Sequence, residues 1–266
     1  MPEGDSIRTD AARLRPVLSG ATIEFVDGNG AVRKHQRALT GARISEIRTQ
    51  GKHLMIDTGD DITIHVHLGM TGSWHIRTRG TAQDPPRRGG ADRLLLVTGS
   101  HVVVCEAAPT VEVGRRASVD RSIRRLGPDI LDIEFDHQDF LTRVRLLDAA
   151  TAVAEAITDQ RVVSGIGNVY KSEVLFLEGV HPLTPLSRLD DGDLRGLVDR
   201  AAAIMYPNAT RSGRRTTTGR RDRGGEFWVY DRAGKPCRRC RNGIESAMAG
   251  TGHPRVTYWC PQCQSR

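Results

Sequence analysis

Aromatic residues make up only 5% of this 266-residue chain, which disfavours a surface that binds by stacking a long run of single-stranded bases. No apolar run reaches membrane-spanning length, so a transmembrane helix is excluded. The N-terminus, MetProGluGlyAspSerIleArgThrAsp, lacks the basic-then-apolar order of a signal peptide, and the chain is expected to stay in the cytoplasm. Cysteine is scarce: there are five, and four of them stand in two pairs at the extreme C-terminus while Cys105 lies alone in an apolar run. In a cytoplasmic protein such pairs read as metal ligands rather than disulfides. Acidic residues are outnumbered, 32 Asp and Glu against 39 Lys and Arg, a formal charge of +7. That balance favours a polyanionic partner, DNA or RNA above all. The arginines are also clustered, at Arg115, Arg116, Arg121, Arg124 and Arg125, and again from Arg211 to Arg223.

The hydrophobic 38% is patterned. Ile7, Ala11, Leu14, Val17 and Leu18 recur at helical spacing and predict a helix over 5–18, stopped by Gly20. Short β-like runs follow at 22–26, 42–49, 53–58, 62–68, 73–77, 94–98 and 101–106, as in a β-sandwich or barrel carrying one N-terminal helix. The Pro/Arg/Gly-rich stretch 79–90 reads as a mobile loop. Leu126-Gly127-Pro128-Asp129 breaks the β pattern and is read as the start of a linker. Helical patterns then occupy 140–147, 151–159, 168–178 and 191–205, and 206–225 reads as a basic, glycine-rich loop disordered without a partner. The expected organisation is an α+β multidomain chain: a sandwich over 1–126, a linker over 127–138, a helical domain over 139–225 and a cysteine module over 226–266. There are no internal repeats.

Three motifs carry chemistry. Cys237-Arg-Arg-Cys240 and Cys260-Pro-Gln-Cys263 are separated by nineteen residues, a spacing at which two knuckles close a tetrahedral four-thiolate site around one structural Zn²⁺. Gly165 and Gly167 form a turn between helical patterns, and Asn168 reads as the N-cap of the next helix. The exposed N–H groups of such a helix start suit a phosphate, although an ordinary interhelical turn has the same pattern. Met1 precedes Pro2, and removal of the initiator Met would leave a secondary amine able to attack a sugar carbon. An α-amino group titrates near 7.7–8.0, so it keeps a usable neutral fraction where lysine does not. Glu3 supplies an adjacent carboxyl for proton transfer, and Lys52 a second acid/base or a phosphate contact.

MetProGluGly at 1–4, GlyLysHis at 51–53, HisLeuGlyMetThrGly at 67–72, SerGlyIleGlyAsnValTyr at 164–170 and the four terminal cysteines, taken in that order, resemble the formamidopyrimidine-DNA glycosylase/endonuclease VIII family over essentially the whole chain. The resemblance implies a β-sandwich bearing the nucleophile, a helical helix–two-turn–helix domain and a zinc-finger hairpin. It implies Pro2 as nucleophile, Glu3 as acid/base and Lys52 as a phosphate-contacting helper. Asn168 and Arg255 are implied as phosphate grips and Met70 as a wedge filling the gap left by an everted base. Met70 reads equally well as a core filler. His67 and Lys171, inside these motifs, are candidate DNA contacts. MetProGluGly is more like endonuclease VIII, whose substrates are oxidised pyrimidines, and the Arg-Arg-Phe-Gly wedge of the purine branch is missing from 106–113. HisLeuGlyMetThrGly looks like the purine branch. Ser6 stands where both branches usually have glutamate, with Asp5 beside it. The implied activity is a bifunctional glycosylase/AP lyase acting on damaged duplex DNA, monomeric and nucleoid-associated in the cytoplasm. The alternatives are an oxidised-purine enzyme and a non-catalytic zinc-finger DNA- or RNA-binding protein.

Overall fold

The computed structural model describes residues 2–80, 90–211, 213–250 and 254–265. Most of the stretch 79–90 read as a mobile loop thus lies outside the described residues. The chain divides into two units, Met1–Arg125 and Leu126–Arg266.

The first unit opens with α1 (Gly4–Leu18), followed by β1 (Phe25–Gly28), α2 (Gly30–Lys34) and α3 (Gln36–Leu39). Seven strands follow: β2 (Ile44–Gln50), β3 (His53–Thr58), β4 (Ile62–His67), β5 (Ser73–Thr78), β6 (Asp92–Val97), β7 (His101–Glu106) and β8 (Thr110–Arg115). Helix α4 (Arg116–Ile123) ends the unit. The strands make two four-stranded antiparallel sheets, ordered β1-β6-β7-β5 and β2-β3-β4-β8. Alternation with period 2 sends Leu94, Leu96, Val103 and Cys105 of one sheet and Ile47, Leu54, Ile56, Ile64 and Val66 of the other into a single core. The apolar stripe of α1, Ile7, Ala11, Leu14 and Leu18, is buried in the same core. Strand β8 and helix α4 were not foreseen; both follow the stretch 106–109, where the chain turns at Ala107 with φ +51°. Helix α4 is tied down by Asp57, fully buried, which accepts from Arg48, Arg116 and Thr63, while Arg48 also reaches Asp120 at 2.8 Å. Burial alone would raise the Asp57 carboxyl, but the bonds from Arg48 and Thr63 outweigh it and hold the group below the usual aspartate range.

The second unit contains α5 (His137–Arg145), α6 (Val153–Ala156), α7 (Asn168–Leu177), α8 (Asp191–Thr210) and an antiparallel hairpin of β9 (Glu245–Ala249) and β10 (Arg255–Trp259). Residues expected to form a linker pack within this unit: Asp129 bridges to Ser164, and Ile130 and Leu131 join the helical core. Helix α6 is shorter than its pattern because Ala152 pairs with Pro185 and ends the helix on that side. Helix α8 runs past Met205 through Pro207 to Thr210. Asp190 caps it, accepting from Asp193 N at 2.8 Å in a reciprocal capping box. The basic stretch after it is held by specific bonds rather than left without structure. Asn208 exchanges two hydrogen bonds with Thr216, Arg214 pairs with Glu226, and Arg215 lies over the Tyr170 ring. Ser212 lies outside the described residues. A smaller core of Phe176, Val229, Cys237, Ile244 and Cys260 joins α7 to the cysteine module.

Candidate functional site

Pro2 and Glu3 stand at the N-terminus of α1, where Glu3 takes the N-cap position with extended backbone, φ −127° and ψ −176°. Its carbonyl accepts the Ile7 N–H at 3.2 Å. Pro2 is half-buried and the Glu3 side chain is 0% exposed. A carboxyl placed wholly out of water at a helix start is costly unless it is used or paired, and the helix N-terminus favours its negative charge. Asp5 is buried as well and accepts from Ser6 at 3.4 Å, so the position where glutamate was expected is filled by a hydroxyl bonded to its neighbour. Lys52 lies in the two-residue turn joining β2 to β3, closed by the pair Gln50↔His53. Gly51 precedes it at φ +54°, a conformation that such a turn demands and that a side chain would resist. Helix α1 packs on both of these strands.

Beside Lys52 the register brings three imidazoles together, a group missed in the sequence because the residues lie on two strands. His53 pairs with His67 across β3 and β4, with ring centroids 4.9 Å apart, and stacks on His65 at 5.0 Å. His65 Nδ1 faces the Glu112 carboxylate at 3.4 Å, and His53 Nδ1 meets His65 Nε2 at 2.8 Å. An ionised carboxylate only accepts; the His65 proton is therefore on Nδ1, its Nε2 accepts, and His53 donates from Nδ1. Burial lowers all three pKa values, and the charges of the neighbouring histidines and Lys52 push His53 further, down to about 3. In the unfolded chain His53 takes its proton near 6.5. Stability contributed by the neutral cluster is complete above that pH and is lost as pH falls from about 6.5 towards 3. His53→Gln should therefore lose less thermal stability than the native protein between pH 7 and pH 4.5. Equal losses in a pair of melting curves would contradict this.

Met70 is 75% exposed, which removes the core-filler reading. It crowns the β4–β5 connection, closed by Gly72 N donating to Leu68 O at 2.8 Å. Gly69, at φ +60°, is required there, since a Cβ would lie 2.5 Å from Pro109. The His67 Nδ1 accepts the Gly69 N–H at 3.2 Å and so steadies the same tip.

In the second unit, Gly165 at φ +106° turns the chain into α7. Gly167, not Asn168, is the N-cap, and Asn168 is the first helical residue. Its side chain is drawn away from the capping role to the hairpin: Nδ2 donates to Val256 O at 2.9 Å, and Oδ1 accepts from Lys171 Nζ at 2.6 Å. Arg255 begins β10 and is exposed. Lys171 lies beneath these residues, 2% exposed, and donates a second bond to Thr257 Oγ1 at 2.6 Å. Lys171, Arg255 and Thr257 line a cavity of about 490 Å³ with Thr158, Gln160 and Arg161. Glu173, also unanticipated, is completely buried and accepts the backbone N–H groups of Trp228, Val229 and Tyr230, each at 2.8 Å, clamping the start of the cysteine module to α7.

The four C-terminal cysteines converge, their Sγ atoms all within 4.8 Å of one another. Cys240 and Cys260 are 3.4 Å apart, and Cys237 and Cys263 3.9 Å. Four thiols on two tight turns fit a tetrahedral metal ion that prefers sulfur, with every position filled by protein. Among the described residues no helix is long and apolar enough to cross a membrane.

Comparison with known proteins agrees with this arrangement. Residues 1–108 match the formamidopyrimidine-DNA glycosylase N-terminal domain, and residues 126–220 the formamidopyrimidine-DNA glycosylase H2TH domain. The chain is 36% identical to a probable endonuclease 8 2 of Streptomyces coelicolor, covering 100% of this chain and 94% of that protein. It is 38% identical to the DNA-(apurinic or apyrimidinic site) lyase Nei2 of Mycolicibacterium smegmatis, covering 100% and 99%. In fold it matches the Lactococcus lactis Fpg solved in complex with DNA containing an abasic site, with a TM-score of 0.83 at 24% identity, covering 99% and 100%.

Proposed function

The chain belongs to the formamidopyrimidine-DNA glycosylase/endonuclease VIII family, closer to its endonuclease VIII members, and from that premise we propose that it is a bifunctional DNA glycosylase and AP lyase of base excision repair, acting on oxidised bases through the Pro2 amine. One observation carries the reading: a wholly buried carboxyl, Glu3, next to Pro2 at the start of α1. With Met1 removed, the Pro2 nitrogen attacks C1′ of the damaged nucleotide, everted from the duplex. Glu3 protonates the sugar ring oxygen as the ring opens, and the base leaves. The resulting iminium acidifies the C2′ proton, so loss of that proton breaks the strand on the 3′ side. A second elimination releases the 5′ phosphate. Splitting the reaction over a covalent intermediate lowers each barrier.

Lys52 binds phosphate and assists the proton transfers, with His67 nearby on β4. Met70, held out on its rigid tip, fills the place vacated by the base. Asn168 and Arg255 grip the DNA backbone. Cys237, Cys240, Cys260 and Cys263 hold one structural Zn²⁺, which supplies folding energy to the hairpin. The short connection Ala107–Pro109 between β7 and β8 leaves no room for the Arg-Arg-Phe-Gly wedge, which favours oxidised pyrimidines over 8-oxoguanine as substrates.

The test is a set of duplexes carrying one oxidised pyrimidine, one formamidopyrimidine or one 8-oxoguanine, read for strand breaks ending in 3′ phosphate. Oxidised pyrimidine should be released fastest, and Glu3→Gln should slow release by roughly a hundredfold to ten-thousandfold, the usual contribution of a positioned acid/base. Equal rates for Glu3→Gln and the native enzyme would remove Glu3 from the mechanism, and preference for 8-oxoguanine would move the enzyme to the purine branch.

A further inference from the structure

Lysine is rarely buried without a purpose, because its ammonium must be desolvated. Lys171 is 2% exposed on α7, one turn after the residue that begins the helix. Its ammonium donates to Asn168 Oδ1 and to Thr257 Oγ1, both at 2.6 Å. Each bond has a consequence further out. The first fixes the orientation of the Asn168 amide, oxygen inward, so that Nδ2 faces the hairpin and donates to Val256 O at 2.9 Å; the second Nδ2 hydrogen is then available to a ligand. A charge-assisted bond at Oδ1 also polarises the amide and makes Nδ2 the better donor. The second bond makes the Thr257 oxygen an acceptor, so its own proton goes to the Arg255 carbonyl, 3.2 Å away. Thr257 is itself fully buried.

We infer that Lys171 is a positioning residue that sets both phosphate grips at once, Asn168 through its amide and Arg255 through Thr257. The role rests on the DNA-binding reading given above, and Lys171 itself does not touch the DNA. Because one of its two arms acts through Asn168, its removal should cost less once Asn168 is gone, with only the Arg255 arm left to lose.

The experiment is a double-mutant cycle on the full-length, zinc-loaded protein, with the dissociation constant for a duplex containing a tetrahydrofuran abasic analogue measured by fluorescence anisotropy. Lys171→Met should weaken binding about tenfold to a hundredfold, the range expected for loss of a hydrogen bond to a charged group. In an Asn168→Ala background the same change should cost at least about threefold less, the remainder belonging to the Arg255 arm. A merely structural lysine would lower the melting temperature and weaken binding by the same factor in both backgrounds, which would overturn the inference, as would native affinity in Lys171→Met. Thr257→Val provides a second cycle if Lys171→Met does not retain zinc: non-additivity with Arg255→Ala supports the relay to that grip, and additivity refutes it. Failure of the native protein to bind the duplex would instead bring down the DNA-binding reading itself.

Discussion

Protein carrying an uncleaved N-terminal extension will bind abasic-site duplex within about twofold of the native affinity and cleave it at least roughly a thousandfold more slowly, the scale on which loss of a covalent nucleophile is felt. The extension converts the Pro2 amine to an amide, whose lone pair is delocalised into the carbonyl and does not attack a sugar carbon. Everything else is left in place: Glu3 stays buried at the N-cap and Lys52 stays in its turn on the strands under α1. A gel-based cleavage assay on matched tagged and untagged protein checks this. Comparable rates would mean that the nucleophile lies elsewhere, and Pro2→Gly, which keeps a free amine, should retain part of the activity lost on tagging.

The second large effect is expected from the cysteines. Cys240→Ser, or exhaustive treatment with a zinc chelator, should weaken DNA binding about a hundredfold or more, as loss of two charge-assisted contacts would. In small zinc modules the metal contributes about 10–16 kcal/mol of apparent folding free energy, far beyond what the short hairpin and its small core can supply. Without it, β9 and β10 lose their base, and with them go the bonds from Asn168 to Val256 and from Lys171 to Thr257. Arg255 then has no fixed position. Metal analysis alongside anisotropy measures both halves of the claim. A metal-free protein that binds DNA with native affinity would show that the hairpin is dispensable to recognition.

Much of this architecture was legible in the sequence, and the exceptions have physical causes. The strands His53–Thr58 and His101–Glu106 coincide with their apolar runs because both are central strands bounded by turn residues. Strand β8 was hidden: its ThrValGluValGlyArg alternates for only a few residues before a basic run that becomes α4. Helix α8 continues through Pro207, which local rules treat as a stop. The cysteine site could be read from spacing, since four thiols in two knuckles admit few geometries. The roles around Asn168 could not. A good N-cap residue sits one place inside the helix because the hairpin, 88 positions away in sequence, offers its amide a partner. Lys171 reads as a candidate DNA contact, and only the fold reveals that it is buried beneath the residues it was grouped with. The histidine ladder likewise depends on a register that pairs His53 with His67.

The most direct test of the central claim is borohydride trapping on duplex DNA containing an abasic site, with untagged protein and the adduct mapped by mass spectrometry. The account predicts a covalent adduct on the N-terminal peptide at Pro2. An adduct on Lys52, or none at all from protein that binds the duplex, would contradict it.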